Sequence, residues 1–431
     1  MNRPHLPGYA SFLISAACLL AVPSLASAQG GAPPASRVTT EQAVALALQH
    51  NQALAVQKLA VDQSKANEIT AGLRPNLVFT SVNADFPVFT PSQLTWDQLI
   101  NTPTYTQSVS YLFERGGKRD KRLQVARDTT ELTARTTDDA ERQLRFQVMQ
   151  AFIGVLLAKS TRDLARDNLK DFSEVVTLNK ERLSRGDIAE GDYVKIALQQ
   201  LQFEQDLSAA EVALVQGRAA LRQLLGYETV TEDFDVVGEL GRRKAAGLTL
   251  EALQREAMAA RPDVQAARVG TKLANDTVSL AQGNSARDFT GEVEYDRNGS
   301  VNAMGFGFSF EIPIHNRNQG EIARSQVAVK QAQQSESAAV AGAMTDVVDA
   351  WAGYRSNEQV VSLYESGYLD QARQSREISQ YAYHRGAGSL LDLLDAERTD
   401  RAVQLGYRQA LAASMASAEQ INFVVGKQVI Q

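Results

Sequence analysis

Two periods of hydrophobic spacing alternate along the chain. From Thr39 or Thr40 to about Ala71, apolar residues at Val44, Leu46, Leu48, Leu54, Val56 and Leu59 predict a helix, which Gly72 and Pro75 end. Residues 76–114 change period. Tyr105, Val109, Tyr111 and Phe113 alternate with Thr106, Ser108, Ser110 and Glu114, which is a strand pattern, and Leu77 to Phe86 is its less regular partner. Pro87 to Pro103, with Trp96 inside it, reads as a long loop. From Arg115 to about Arg185 the helical pattern returns, and Leu144, Val148, Ala151, Val155 and Ala158 step as a coiled-coil seam. At 1.5 Å per residue this run is a rod of about 100 Å. A turn at Gly186 leads to a helix from about Ala189 to Leu225, and Gly226 closes it.

The pattern then repeats. Leu248 to Glu251 resembles the start at Val38 to Glu41, and a helix runs to about Gly283. In the second hairpin Phe289, Gly291, Val293 and Tyr295 face one way, and Thr290, Glu292, Glu294 and Asp296 the other. Asn298-Gly299 is the turn signal, and Met304, Phe306, Phe308 and Phe310 then alternate with Gly305, Gly307 and Ser309. Another long helix is predicted from about Asn318 to Tyr383, followed by a turn at Gly386 and a last helix. Phe310-Glu311, Trp351, Gly386 and Gly426 follow Phe113-Glu114, Phe152, Gly186 and Gly226 at a nearly constant offset of about 200 residues, which marks a duplication.

Export enters through the first residues. Arg3 precedes an apolar run from Phe12 to Val22, and Ala26-Ser27-Ala28 supplies a small-residue cleavage site before Gln29. Cys18, the only cysteine, lies inside the apolar run, with Leu19 to Val22 still to come, which favours cleavage after Ala28. The mature chain then has no thiol and no disulfide. The expected organisation is a signal peptide over 1–28 and a flexible N-terminus over 29–38. A first repeat covers 39–226 with its hairpin at 76–114, and a linker covers 227–247. A second repeat covers 248–426 with its hairpin at 287–311, and a tail covers 427–431. The net charge of −6 is mild and well mixed, which gives no case for nucleic acid. No nucleophile triad, phosphate loop or paired acid–base site stands out, so an enzyme is not expected. The mature histidines, His50, His315 and His384, have no metal-site spacing with one another. No metal and no cofactor is expected.

No mature stretch is apolar enough for a membrane helix, so entry into a membrane requires a barrel. Each half offers two strands of about ten residues, the length that crosses an outer membrane when tilted. Four strands cannot close, since about eight is the minimum. Two chains would supply eight strands and three would supply twelve. A wide duct favours three, because an eight-stranded barrel is filled by its own side chains. The fold class is therefore mainly α with a small β part.

Five pieces in order carry a family resemblance: TTEQAVALALQHNQALAVQ from Thr39, GLRPN from Gly72, FERGGKR from Phe113, FEIPIHNRNQGEIA from Phe310 and GSLLDLLDAER from Gly388. The chain resembles the TolC-like outer-membrane efflux proteins over almost all of its mature length. FERGGKR and PIHNRNQG are most similar to the branch serving heavy-metal exporters of the cobalt-zinc-cadmium type. The resemblance implies a homotrimer in outer-membrane lipid of a Gram-negative bacterium. Its four strands per chain would form a twelve-stranded barrel, and its duplicated antiparallel coiled-coil helices a tunnel across the periplasm. It implies docking onto a periplasmic adaptor (a membrane fusion protein) and an inner-membrane resistance-nodulation-division pump, with no catalysis of its own.

The resemblance also assigns residues. Asp392 and Asp395 fall on the motif that rings the periplasmic aperture, Tyr383 matches a tyrosine of the closing network, and Asp192 is the first-half counterpart. Gly388 stands where well-known members have a basic residue, so closure would rest on another contact such as Arg385. The tips at Gly186, Asp187, Gly386 and Gly388 would receive the adaptor. Glu292, Glu294 and Asp296 would line the barrel lumen, although such a row also fits a plain solvated face. Asp392 and Asp395 equally suit the first turn of a helix, where carboxylates are favoured, and the tip glycines also suit simple turn geometry. Drug efflux, type I protein secretion and a soluble periplasmic coiled-coil scaffold are the competing functions.

Overall fold

The computed structural model describes residues 35–86, 95–243 and 247–430. The expected signal peptide, residues 1–28, lies outside them, as does half of the loop after Phe86. In chain order the first half comprises β1 (Ala35–Val38), α1 (Thr40–His50), α2 (Gln52–Gly72), β2 (Val78–Ala84), α3 (Trp96–Asn101), β3 (Thr104–Phe113), α4 (Lys118–Arg185), α5 (Glu190–Leu225) and β4 (Val230–Val236). The second comprises α6 (Leu250–Ala260), α7 (Pro262–Asn284), β5 (Phe289–Asn298), β6 (Val301–Phe310), α8 (Gln319–Leu363), α9 (Leu369–His384) and α10 (Leu390–Val425).

Several expectations are corrected. The N-terminal stretch 29–38, expected flexible, ends in β1, which pairs in parallel with β4. The linker 227–247 is therefore partly a strand. Burial explains both: Val38 and Phe234 are fully buried, and Val230 and Val236 nearly so. The loop around Trp96 contains the short α3, whose N-cap Thr95 accepts the Gln98 amide. The first predicted helix is two, because Asn51 leaves helical geometry to cap α2, its side chain accepting the Leu54 N–H at 3.1 Å. The helix of the second half likewise breaks into α6 and α7 at Arg261, which precedes Pro262 and is held extended (ψ 122°).

The long rods are real. The 68-residue α4 packs against α2 and α7 along its first part and against α5 and α10 beyond. Its twin is interrupted. Between α8 and α9 lies a five-residue π-turn, Tyr364–Tyr368, in which Gly367 has φ 124°. From Phe152 to Gly186 the first half is one residue shorter than from Trp351 to Gly386 in the second. A π-turn is how a helix absorbs one extra residue. Arg242 clamps this turn, reaching Glu358 at 2.8 Å and Glu365 at 3.0 Å, and Tyr407 meets Glu365 at 3.2 Å.

Two apolar cores sit at the girth of the rods, one for each repeat. Phe152, Val148, Leu221, Leu225 and Phe234 centre the first; Leu253, Val347, Ile421 and Val425 centre the second. Lys159 pins β4 to α4 through Asp235 at 2.6 Å. The C-terminal tail is tied back, since Asn422 accepts the amides of Val429 and Ile430 at 2.8 and 2.9 Å.

Among the described residues the remaining strands form one antiparallel sheet in the order β2-β3-β5-β6. The two hairpins are thus joined side by side through β3 and β5. Phe113 pairs with Phe289 and Phe289 with Phe310, so the alternation read in each strand becomes one continuous aromatic face. The 4.7 Å stack of Phe113 on Phe289 is part of it.

Candidate functional site

The end of the molecule far from the sheet consists of two helical hairpin tips built by the same local device. In the first, Gly186 takes φ 80° after the last turn of α4, and the Asp187 amide reaches back to the Arg182 carbonyl at 2.8 Å. In the second, Gly386 takes φ 73° and the Ala387 amide reaches the Ala382 carbonyl at 2.9 Å. These are left-handed C-terminal caps that only glycine adopts without cost. Space at Gly388 is tight: a Cβ there would lie 3.0 Å from the Ala382 Cβ and 3.1 Å from the Tyr383 nitrogen, so a larger residue would need its neighbours to give.

The returning helices start differently. Ser389 and Asp392 form a capping box, with the Asp392 carboxylate accepting from the Ser389 hydroxyl at 2.7 Å and the Asp392 amide donating to that hydroxyl oxygen at 3.1 Å. Asp392 thus does serve as a first-turn acid. Asp395 pairs with Arg398 at 2.7 Å, and both are well exposed. Asp192 occupies the equivalent first-turn position of α5 and pairs with Lys195 at 3.0 Å.

Tyr383 is the residue that brings the two hairpins together. It is buried, and its hydroxyl donates to the Asn179 Oδ1 on α4 at 2.6 Å. Burial pushes its phenol above the usual tyrosine range, against the pull of nearby Arg182. Arg182 lies over the ring at 5.4 Å and donates to the His384 carbonyl at 2.8 Å. Leu393 and Val175 close the apolar side. Arg385, expected to compensate for the missing basic residue, instead lies over Tyr381 at 5.4 Å. The fastening residues missed in the sequence are Asn179 and Arg182. Asn179 follows Phe172 and Val175 on a heptad-like seam, and a polar residue at such a seam position was the available signal.

Higher up, Arg376 of α9 sits between Asp171 of α4 (3.6 Å) and the buried Asp400 of α10 (3.3 Å), and Arg401 joins α10 to Asp206 of α5 at 2.8 Å. Glu397 is caught among them. Burial raises its carboxyl above the usual range; Arg376 opposes the shift and Asp400 and Asp171 add to it.

In the sheet, Glu292, Glu294 and Asp296 share one face with their partners Ser110, Ser108 and Thr106. Asp296 accepts the Thr106 hydroxyl at 2.8 Å. This polar face is opposite the aromatic one.

A duplicated helix–hairpin–helix chain with paired tips and a two-faced sheet defines the TolC-like class of channel folds. Residues 253–427 match the outer membrane efflux protein family, a stretch that holds the motifs read from Phe310 and Gly388. The chain is 25% identical over 404 residues to the cobalt-zinc-cadmium resistance protein CzcC of Cupriavidus metallidurans, covering 91% of each. Its fold matches a crystal structure of CusC (TM-score 0.77, 19% identity, 90% of this chain and 92% of that one). It also matches the open-state MtrE outer membrane channel of Neisseria gonorrhoeae (TM-score 0.74, 18% identity, 90% and 89%). Among the described residues no helix is long and apolar enough to cross a membrane.

Proposed function

We propose that this chain is the outer-membrane exit duct of a tripartite efflux system, and that its cargo is heavy-metal cations. The sheet carries the reading. Phe306 and Phe308 are 81% and 77% exposed on a face that also bears Phe79, Met304 and Phe310. Such a surface calls for lipid. Among the described residues β2 and β6 each have one unpaired edge, and open edges are not tolerated in hydrocarbon. Closure with two further copies gives twelve strands. The exposed stripe Val194, Leu198, Leu201, Val212 and Val215 on α5 supports helix packing between copies. In that trimer Glu292, Glu294 and Asp296 line the lumen, and Asp392, Asp395 and Asp192 ring the periplasmic aperture that Tyr383 helps to hold. The tips at Gly186, Asp187, Gly386 and Gly388 meet the adaptor, which links the duct to a resistance-nodulation-division pump. The likeness to a cobalt-zinc-cadmium resistance protein supports the cargo. The organisation as two repeats, 39–226 and 248–426, lets one chain supply two hairpins to the wall.

Purified protein should need detergent, migrate as a heat-stable trimer and form channels in planar bilayers. A deletion strain should gain sensitivity to cobalt, zinc and cadmium. Protein that stays soluble without detergent and forms no channels would sink the duct; sensitivity to drugs alone would overturn the cargo.

A further inference from the structure

Each of the four strands of the aromatic sheet carries an arginine at its helix-side end: Arg74 before β2, Arg115 after β3, Arg287 before β5 and Arg317 after β6. Phe113 pairs with Phe289, which puts Arg115 opposite Arg287 one strand spacing (~4.8 Å) away, and Arg74 and Arg317 extend the row in the segments that flank β2 and β6. Local contacts fix the row. The Arg115 amide donates to Asp288 at 2.8 Å, Arg119 donates to the Gly72 carbonyl beside Arg74 at 2.6 Å, and Arg287 bonds the Asn316 carbonyl beside Arg317. Lys118, Arg122, Arg287 and Arg324 are neutralised there by Asp288, Glu114, Glu311 and Glu321. Arg74, Arg115 and Arg317 are exposed and, among the described residues, make no ion pair.

The opposite end of the sheet has the reverse character. Asp85 and Asp97 lie there, and Arg297 turns inward to the Gly299 carbonyl at 3.1 Å. Arg297 makes no ion pair among the described residues either, but it is half-buried, so the sheet's exposed arginines without an ion pair lie at the end where strands become helices. It also borders the apolar face, which continues past β6 through the exposed Ile312 and Ile314 to Arg317. A surface apolar on one side and cationic at its lower rim matches an amphiphile with acyl chains and an anionic head.

We propose that Arg74, Arg115 and Arg317 form a collar that binds the phosphate headgroups of anionic phospholipid in the periplasm-facing leaflet. The proposal rests on the outer-membrane reading above. Arginine suits the task because its planar fork holds phosphate oxygens pairwise. The collar fixes how deep the sheet sits, since the arginines cannot follow the phenylalanines into hydrocarbon.

The test uses the intact detergent-purified protein, with thermal unfolding of the oligomer followed as phosphatidylglycerol, phosphatidylcholine or inorganic phosphate is added. Phosphatidylglycerol should raise the midpoint and phosphatidylcholine should not. The R74Q/R115Q/R317Q variant should lower the apparent phosphatidylglycerol affinity on the order of a hundredfold. R74K/R115K/R317K keeps the charge but not the fork, so it should bind between the parent and the glutamine variant, and it controls for misfolding. An equal shift with both lipids, or full retention in the glutamine variant, overturns the collar. An equal shift with inorganic phosphate makes it an ion site and also overturns the lipid assignment. Insertion into pure phosphatidylcholine bilayers is read in parallel. Channels there, with no effect of anionic lipid, refute the collar and leave the duct, whereas no channels in any lipid refutes the duct itself.

Discussion

Removing one oxygen atom, by Tyr383→Phe, should loosen the second hairpin from the first. The hydroxyl lost is buried and donates to the Asn179 Oδ1 at 2.6 Å, and Asn179 is itself fully buried. The asparagine keeps its own donor bond to the Val175 carbonyl at 2.8 Å, so it cannot rotate to find another partner without losing that one. An acceptor stranded in this way costs about 1–3 kcal/mol. The ring stays, and with it the apolar contact to Leu393 and the cation above it. The loss is therefore local, and at about 2 kcal/mol it shifts the fastened-to-released ratio roughly thirtyfold. Hydrogen exchange of the amides from Tyr381 to Leu394 should accelerate by that factor while the girth cores stay protected. Channel recordings should show longer open dwell times. Asn179→Leu combined with Tyr383→Phe should cost less than Tyr383→Phe alone, because both polar partners are then gone. Unchanged exchange at the tip in Tyr383→Phe would refute the view that this bond fastens the hairpins.

Gly386→Ala should destabilise the second tip by about 1–2 kcal/mol through backbone strain alone, since nothing lies within 4 Å of the added methyl; faster tip exchange with unchanged trimer yield checks it. Arg261→Ala removes a nearly buried cation from Asp263 (2.7 Å) and Asp346 (2.9 Å) and should cost about 3 kcal/mol, read as a lower unfolding midpoint. Glu397→Gln should stabilise the protein at neutral pH. Its folded carboxyl titrates above the ordinary range, so stability is lost as pH rises through the gap between the unfolded and folded values. The gain from glutamine should therefore shrink as pH falls below that window, and unfolding midpoints across pH measure it.

The rods, the tips and both faces of the sheet were legible in the sequence because each is a local periodicity or a glycine at a turn. Phe306, Phe308 and Phe310 announce their face by spacing alone. The strands β1 and β4 were hidden for the opposite reason: they are seven residues or fewer, and their pairing joins Val38 to Val236 across almost two hundred positions. Asn51 and Arg261 broke helices whose apolar pattern runs on, since capping and the residue before proline override weak periodicity. At the tip, Asp392 was legible as an acid but its bond to Ser389 was not singled out. The Tyr383 partner was unreadable because Asn179 lies on the other hairpin, about two hundred residues away.

The interruption at Tyr364–Tyr368 governs where this chain can lose a residue. An α-helix turns about 100° per residue, so one deletion in α4 rotates everything beyond it by that angle. Deleting one residue within α9 would do the same and carry Tyr383 away from Asn179. Within the π-turn the surplus residue is already absorbed locally. Deleting Gly367 there leaves an unbroken helix whose tip keeps its orientation, and the two halves then match in length as they already match in phase.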